Sequence, residues 1–197
     1  MNQLQPSAVF WFLGLPASGK TTLARHLLDH LRTEHDTDCG LYDADAERAT
    51  GVLQDLGWSP SDRIATIHAL AHAARQHQVG IVTLVTSTKA ERQLAADLLG
   101  ERLHFIHVHA PEPARHARDA LRTVRAYRTN PAPDAPELSW SDPEQPALSL
   151  DTTTPLSTTV NALCTFAATA LGNDATVGSP SESGQDLTFY SCTRHFR

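Results

Sequence analysis

Between Ser7 and Leu13 the chain reads SAVFWFL, a nearly unbroken apolar run that stops at Gly14. A strand covered on both faces of a parallel sheet has this pattern, because neither face meets water. From Lys20 to about Arg32 the period changes. Leu23, Leu27, Leu28 and Leu31 recur at steps of three and four while Arg25, Asp29 and Arg32 stay polar, which predicts an amphipathic helix. The two patterns then alternate. CGLYDAD predicts a strand ending in acids, SPSDRIATIHALAHAARQHQ a capped helix, GIVTLVTS a strand, and TKAERQLAADLLG a helix opened by a T-x-x-E capping box and closed at Gly100. RLHFIHVHA predicts a strand, EPARHARDALRTVRAYR a basic helix, ALSLDT a last strand and PLSTTVNALCTFAATALG a closing helix. Five β-α units in series imply an α/β fold, a mostly parallel five-stranded sheet layered between helices, with its binding crevice at the carboxyl ends of the strands.

Two segments break the rhythm. Five prolines fall between Thr129 and Pro146, which predicts a loop on the crevice side, part of a lid over about residues 113–146. After Gly172 the polar, aperiodic run NDATVGSPSESGQDLTFYSCTRHFR predicts a flexible tail, so residues 1–171 form one domain and 172–197 an appendage. A chain of 197 residues suits a single domain with a sizeable core.

The net charge is −6, and only two of the 16 basic residues are lysines. The arginines are interspersed with acids, so nucleic acid is a poor first expectation. Cys39, Cys164 and Cys192 are far apart and odd in number, which argues against a disulfide framework and a zinc site and fits a reducing cytoplasm. No apolar run approaches membrane-spanning length, and the first residues lack a basic leader; a soluble, untargeted protein is expected.

The chemistry begins at the first strand's end. Gly14, Leu15, Pro16, Ala17, Ser18, Gly19, Lys20, Thr21 and Thr22 complete the pattern G-x-x-x-x-G-K-T, after a buried strand and before an amphipathic helix. Such a loop turns backbone N–H groups around a phosphate. Lys20 reaches the β- and γ-phosphates of ATP, and the Thr21 hydroxyl can ligate Mg²⁺. No N-K-x-D and no strand ending in D-E accompanies it, so a small-molecule kinase is more economical than a GTPase or a motor ATPase. Asp43 and Asp45, two apart at a predicted strand end, would point together into the crevice, one accepting the proton of an attacking hydroxyl and the other holding Mg²⁺ through water. Arg48 and Arg63 offer planar forks for an anionic substrate.

The assembled motifs GLPASGKTTLA, LYDADAERATGVLQDLGWSPSDR, VTSTKAER, RD, PEQP and LDT make the sequence, over roughly Val9 to Ala170, similar to the adenylyl-sulfate kinase family. That resemblance implies a P-loop kinase fold and transfer of the ATP γ-phosphate to the 3′-hydroxyl of adenosine 5′-phosphosulfate in sulfate assimilation, often by a homodimer. It implies that Gly14 to Thr22 and Arg118 hold ATP and Mg²⁺, that Asp43 and Asp45 match the acids of a D-G-D segment, and that Arg48 and Arg63 contact the substrate. Ser87 matches a serine proposed as a phosphoserine intermediate, with direct transfer the preferred route. Arg118-Asp119 would open the lid, and Pro143 to Pro146 with Leu150-Asp151-Thr152 match its distal side.

The departures fall on the acceptor side. Ala44 replaces the glycine of D-G-D, Ser87-Thr88-Lys89 is one residue shorter than S-P-Y-R, and the lid lacks the lysine-rich and F-T-G elements. Tyr127 and Trp140 are the candidate replacement platforms for a base, beside the plainer reading of both as packing. Two other readings stand next to the leading one: a kinase for a different nucleotide or hydroxylated metabolite, and a nucleotide-binding protein without catalysis. The pairs His107/His109 and His68/His72 lack further ligands at zinc spacing and are read as ordinary polar residues. Arg115, Arg118, Arg122, Arg125 and Arg128 recur along one predicted helix, as a solvated face or as lid cations closing over ATP.

Overall fold

The computed structural model of the protein describes residues 8–122, 126, 127 and 139–172. β1 (Ala8–Leu13) is buried along its whole length. Ala8, Phe10 and Phe12 pack into one layer and Val9, Trp11 and Leu13 into the other, as the two-residue period of a doubly covered strand requires. It is the central strand of a parallel five-stranded sheet, flanked by β3 (Val79–Thr83) and β4 (Leu103–His109), with β2 (Cys39–Asp43) and β5 (Leu148–Asp151) at the edges. Asp43 registers with Thr83, and Thr83 with Phe12, so the carboxyl ends of β2 and β3 come level with the end of β1.

Helix α1 (Lys20–His35) and helix α6 (Leu156–Ala170) cover one face through Leu23, Leu27, Leu31, Leu163 and Ala167. Helix α3 (Pro60–Ala74) and helix α4 (Lys89–Leu99) cover the other through Ile67, Leu70, Ala95 and Leu99. Each large apolar side chain so buried contributes about 1.5–3 kcal/mol before chain entropy is charged against it. Both α3 and α4 start with reciprocal capping boxes, Ser59 with Asp62 and Thr88 with Glu91.

Two elements differ from the sequence expectation. The strand predicted through Asp45 ends at Asp43, and Asp45 lies in the first turn of a short helix α2 (Ala44–Thr50). The cause is Asp43 itself: its Oδ1 accepts the backbone N–H of Asp45 and of Ala46, both at 3.1 Å, and caps the helix. The basic helix expected over 112–128 stops early, as α5 (Glu112–Asp119). Asp119 bends the chain by accepting the backbone N–H of Ala126 at 2.9 Å and of Tyr127 at 3.0 Å. Arg122 therefore lies beyond the helix that carries Arg115 and Arg118.

Arg125, Arg128, residues 128–138 of the expected lid and residues 173–197 of the expected tail lie outside the described residues. Among the described residues, no helix is long and apolar enough to cross a membrane, and no group of three or more His, Cys, Asp or Glu is arranged to hold a metal ion.

Candidate active site

The loop between β1 and α1 is shaped by backbone constraints. Gly14 has φ 148°, and a Cβ there would sit 2.1 Å from the carbonyl oxygen of Val108, so only glycine lets β4 approach so closely. Gly19, at φ 104°, caps α1 without a side-chain bond, and no acid occupies the first turn of the helix. The N–H groups at that end are left to an anion. Ser18 is fully buried, and its hydroxyl has no hydrogen-bond partner among the described residues.

Lys20 folds back over the loop and donates to the carbonyls of Gly14 at 2.9 Å and Leu15 at 3.0 Å. Burial pushes its pKa down to about 8; Asp45 and Asp43 nearby oppose that shift, and Arg122 and Arg115 add to it.

On the far side of the hollow, Asp43 binds the loop directly. Its Oδ2 accepts the Thr21 hydroxyl at 2.5 Å and the Thr83 hydroxyl at 2.7 Å. Burial alone would raise its pKa, but these two hydroxyls and the N–H groups of Ala46 and Asp45 outweigh it and hold the carboxyl below the usual range. Asp43 is therefore a fixed anion. Asp45, whose side chain is 69% exposed, faces the opening and accepts Arg122 at 3.0 Å.

The acceptor-side cations have partners of their own. Arg63 grips Glu91 with Nε at 2.6 Å and Nη2 at 2.5 Å, and Nη2 also donates to the Ser87 hydroxyl at 2.6 Å. Ser87 is 1% exposed, enclosed by that pair. Arg48 lies 3.9 Å over the ring of Trp58 and donates to the Ala44 carbonyl and the Thr66 hydroxyl, while its buried Nε has no partner among the described residues. Trp58, an exposed aromatic beside this hollow, was not singled out by the sequence reading. Its signal was there, directly after Leu56-Gly57.

Three side chains dock α5 and the turn after it across the loop. Arg118 donates to the Thr152 hydroxyl at 2.7 Å and its carbonyl at 2.8 Å, and the Thr152 hydroxyl donates to the Ser18 carbonyl at 2.7 Å. The Tyr127 hydroxyl donates to the Pro16 carbonyl at 3.0 Å and accepts Arg115, with its ring stacked on His116. Trp140 stacks on His107, donates to Asp142, and borders a cleft of about 200 Å³ that also touches Leu15, Ser18 and Arg115. Both candidate platforms thus have one ring face occupied.

The structure therefore brings together Lys20, Thr21, Asp43 and Asp45, and leaves Arg63 and Ser87 in a separate side-chain pair. Residues 6–126 match the adenylylsulphate kinase family. The chain belongs to that family. Adenylyl-sulfate kinase of Bacteroides thetaiotaomicron is 30% identical over 156 residues, 75% of this chain and 76% of that protein. Adenylyl-sulfate kinase of Paraburkholderia xenovorans is 35% identical over 118 residues, 57% of this chain; the match spans 64% of that relative's length, less than two thirds. Within the family, the Mycobacterium tuberculosis APS kinase solved with AMPPNP and APS superposes with a TM-score of 0.67 at 20% identity, covering 83% of this chain and 98% of that one, a likeness of fold.

Proposed function

We propose that the protein is an ATP-dependent kinase that phosphorylates the 3′-hydroxyl of adenosine 5′-phosphosulfate, giving 3′-phosphoadenylyl sulfate and ADP. The observation that carries the reading is the contact between Thr21 and Asp43, which joins the phosphate loop to the acids of the acceptor side in one hollow. Family membership supports the substrate.

Glycine geometry, the uncapped start of α1 and Lys20 fit a nucleoside triphosphate, whose charge would draw Lys20 off its own loop carbonyls. The Thr21 hydroxyl and the Asp43 carboxylate form a hard oxygen pair that fits Mg²⁺, an ion that takes few protein ligands and shares the rest with phosphates. Mg²⁺, when bound there, would neutralise charge on the phosphates. Asp45 is the proton acceptor in this reading: the acceptor oxygen bonds to the γ-phosphorus as the bond to the β-γ bridging oxygen breaks, and the hydroxyl proton passes to its carboxylate.

Arg48, whose Nε has no partner among the described residues, is the better placed anchor for an acceptor anion; Arg63 would have to share its fork with Glu91. Ser87, enclosed as it is, serves to fix the loop after β3, which supports direct transfer. A cytoplasmic setting fits this chemistry.

The test is ADP release from MgATP with a panel of acceptors: adenosine 5′-phosphosulfate, other nucleotides and simple hydroxy acids. Turnover with adenosine 5′-phosphosulfate and formation of its 3′-phosphate are expected. Activity with another acceptor alone would keep the kinase and reject this substrate; no release with any would reject catalysis.

A further inference from the structure

The ion pair between Arg122 and Asp45, 77 residues apart in the chain, joins the turn after α5 to the first turn of α2 at 3.0 Å. Its cation is held from behind. Nη1 of Arg122 lies 3.6 Å from Oδ1 of Asp119, which is 2% exposed and ties down the backbone of Ala126 and Tyr127. The guanidinium can therefore change what its outer nitrogen holds while its anchor stays put. Asp43, which accepts the Thr21 hydroxyl at 2.5 Å, also accepts the backbone N–H of Asp45, so Asp45 and the Arg122 that it holds stand beside the start of the loop's helix. Arg48, the basic residue of α2, feels the charge of Asp45 but makes no hydrogen bond to it among the described residues: it donates to Ala44 and Thr66 and lies over Trp58.

We propose that Arg122 is a terminal-phosphate ligand that distinguishes nucleoside triphosphate from diphosphate, with Asp45 as its counter-ion only while the loop is empty. A triphosphate entering the cradle presents several anionic oxygens, a stronger partner for a planar fork than one exposed carboxylate. Arg122 exchanges Asp45 for a terminal phosphate oxygen, and the exchange leaves the Asp45 carboxylate open to an incoming hydroxyl. A diphosphate, which lacks that group, leaves the pair intact. The device thus makes the proton acceptor available only when there is a phosphate to transfer. This inference rests on the donor half of the reading above, that the loop binds a nucleoside triphosphate.

Calorimetric titration of MgAMPPNP and MgADP into the wild type, Arg122→Gln, Arg122→Lys, Asp45→Asn and the Arg122→Gln/Asp45→Asn double variant tests it. Arg122→Gln should weaken AMPPNP about tenfold and leave ADP within about twofold, which also reports an intact fold; Arg122→Lys should recover part of the loss. Asp45→Asn should tighten AMPPNP about threefold to tenfold, and that gain should vanish in the Arg122→Gln background. Equal weakening of ADP and AMPPNP in Arg122→Gln would overturn the proposal. So would a gain from Asp45→Asn that persists without Arg122, since that is plain charge repulsion, or no gain at all. Failure of the wild type to bind either nucleotide would instead sink the kinase reading itself, and normal binding without turnover on any acceptor would reject catalysis while leaving the donor site, and this inference, in place.

Discussion

The two sides of the hollow are built in different ways. The donor side is a backbone object: Gly14 packed against Val108, Gly19 opening α1, and, among the described residues, a Ser18 hydroxyl without a partner and a Lys20 bonded to its own loop. The acceptor side is a side-chain network whose charges already have partners: Arg63 with Glu91, Asp45 with Arg122, and Arg48 over the neutral ring of Trp58. A backbone cradle needs only the release of Lys20 from its own carbonyls to receive phosphate, whereas a paired network must exchange partners to receive a substrate. Donor binding should therefore withstand changes at Arg63 and Glu91, and respond on this side only to the Arg122–Asp45 pair that borders the phosphates.

The sharpest way to break that asymmetry is at Lys20. Lys20→Ala should lower kcat by about a thousandfold or more and weaken nucleotide binding too, because the ammonium is the charge that the cradle itself brings to the phosphates; steady-state kinetics beside a nucleotide titration would show both losses.

A smaller effect is expected from Glu91→Gln. It strips Arg63 of its carboxylate and should destabilise the fold by about 2 kcal/mol, less than a fully buried pair because both side chains reach water. Thermal unfolding should show that loss, and kinetics a higher acceptor KM with the nucleotide Kd unchanged. A matching loss of nucleotide affinity would mean the two sides are not separable.

The mildest test is pH. In the free protein Lys20 gives up its proton near pH 8, while a bound polyphosphate keeps it charged to higher pH. The bound form then holds more protons than the free form above pH 8. Nucleotide affinity should be flat below pH 8 and fall by up to about tenfold per unit above it. Lys20→Ala should remove the slope.

The same contrast explains how far the sequence could be read. The cradle is nine consecutive residues between two strongly patterned elements, so local spacing specifies its geometry, and the sheet follows from the repeated β-α rhythm. Acceptor-side partnerships join Arg63 to Glu91 and Asp45 to Arg122, residues far apart in the chain that spacing does not relate. Local misreadings have the same origin. Asp43 looked like one of two equivalent strand-end acids, yet its bonds to Thr21 and Thr83 reach across the fold and its other oxygen starts α2. Asp119 ended α5 by folding back on residues 126 and 127, a tertiary choice within a run of good helix formers.

Asp45 is the proposed proton acceptor opposite the triphosphate cradle. Measuring kcat with MgATP and adenosine 5′-phosphosulfate for Asp45→Asn, beside its affinity for MgAMPPNP, tests that role. The kcat should fall by about 10²–10⁴ with nucleotide binding undiminished. Full turnover in that variant, or a loss of activity matched by a loss of nucleotide binding, would contradict it.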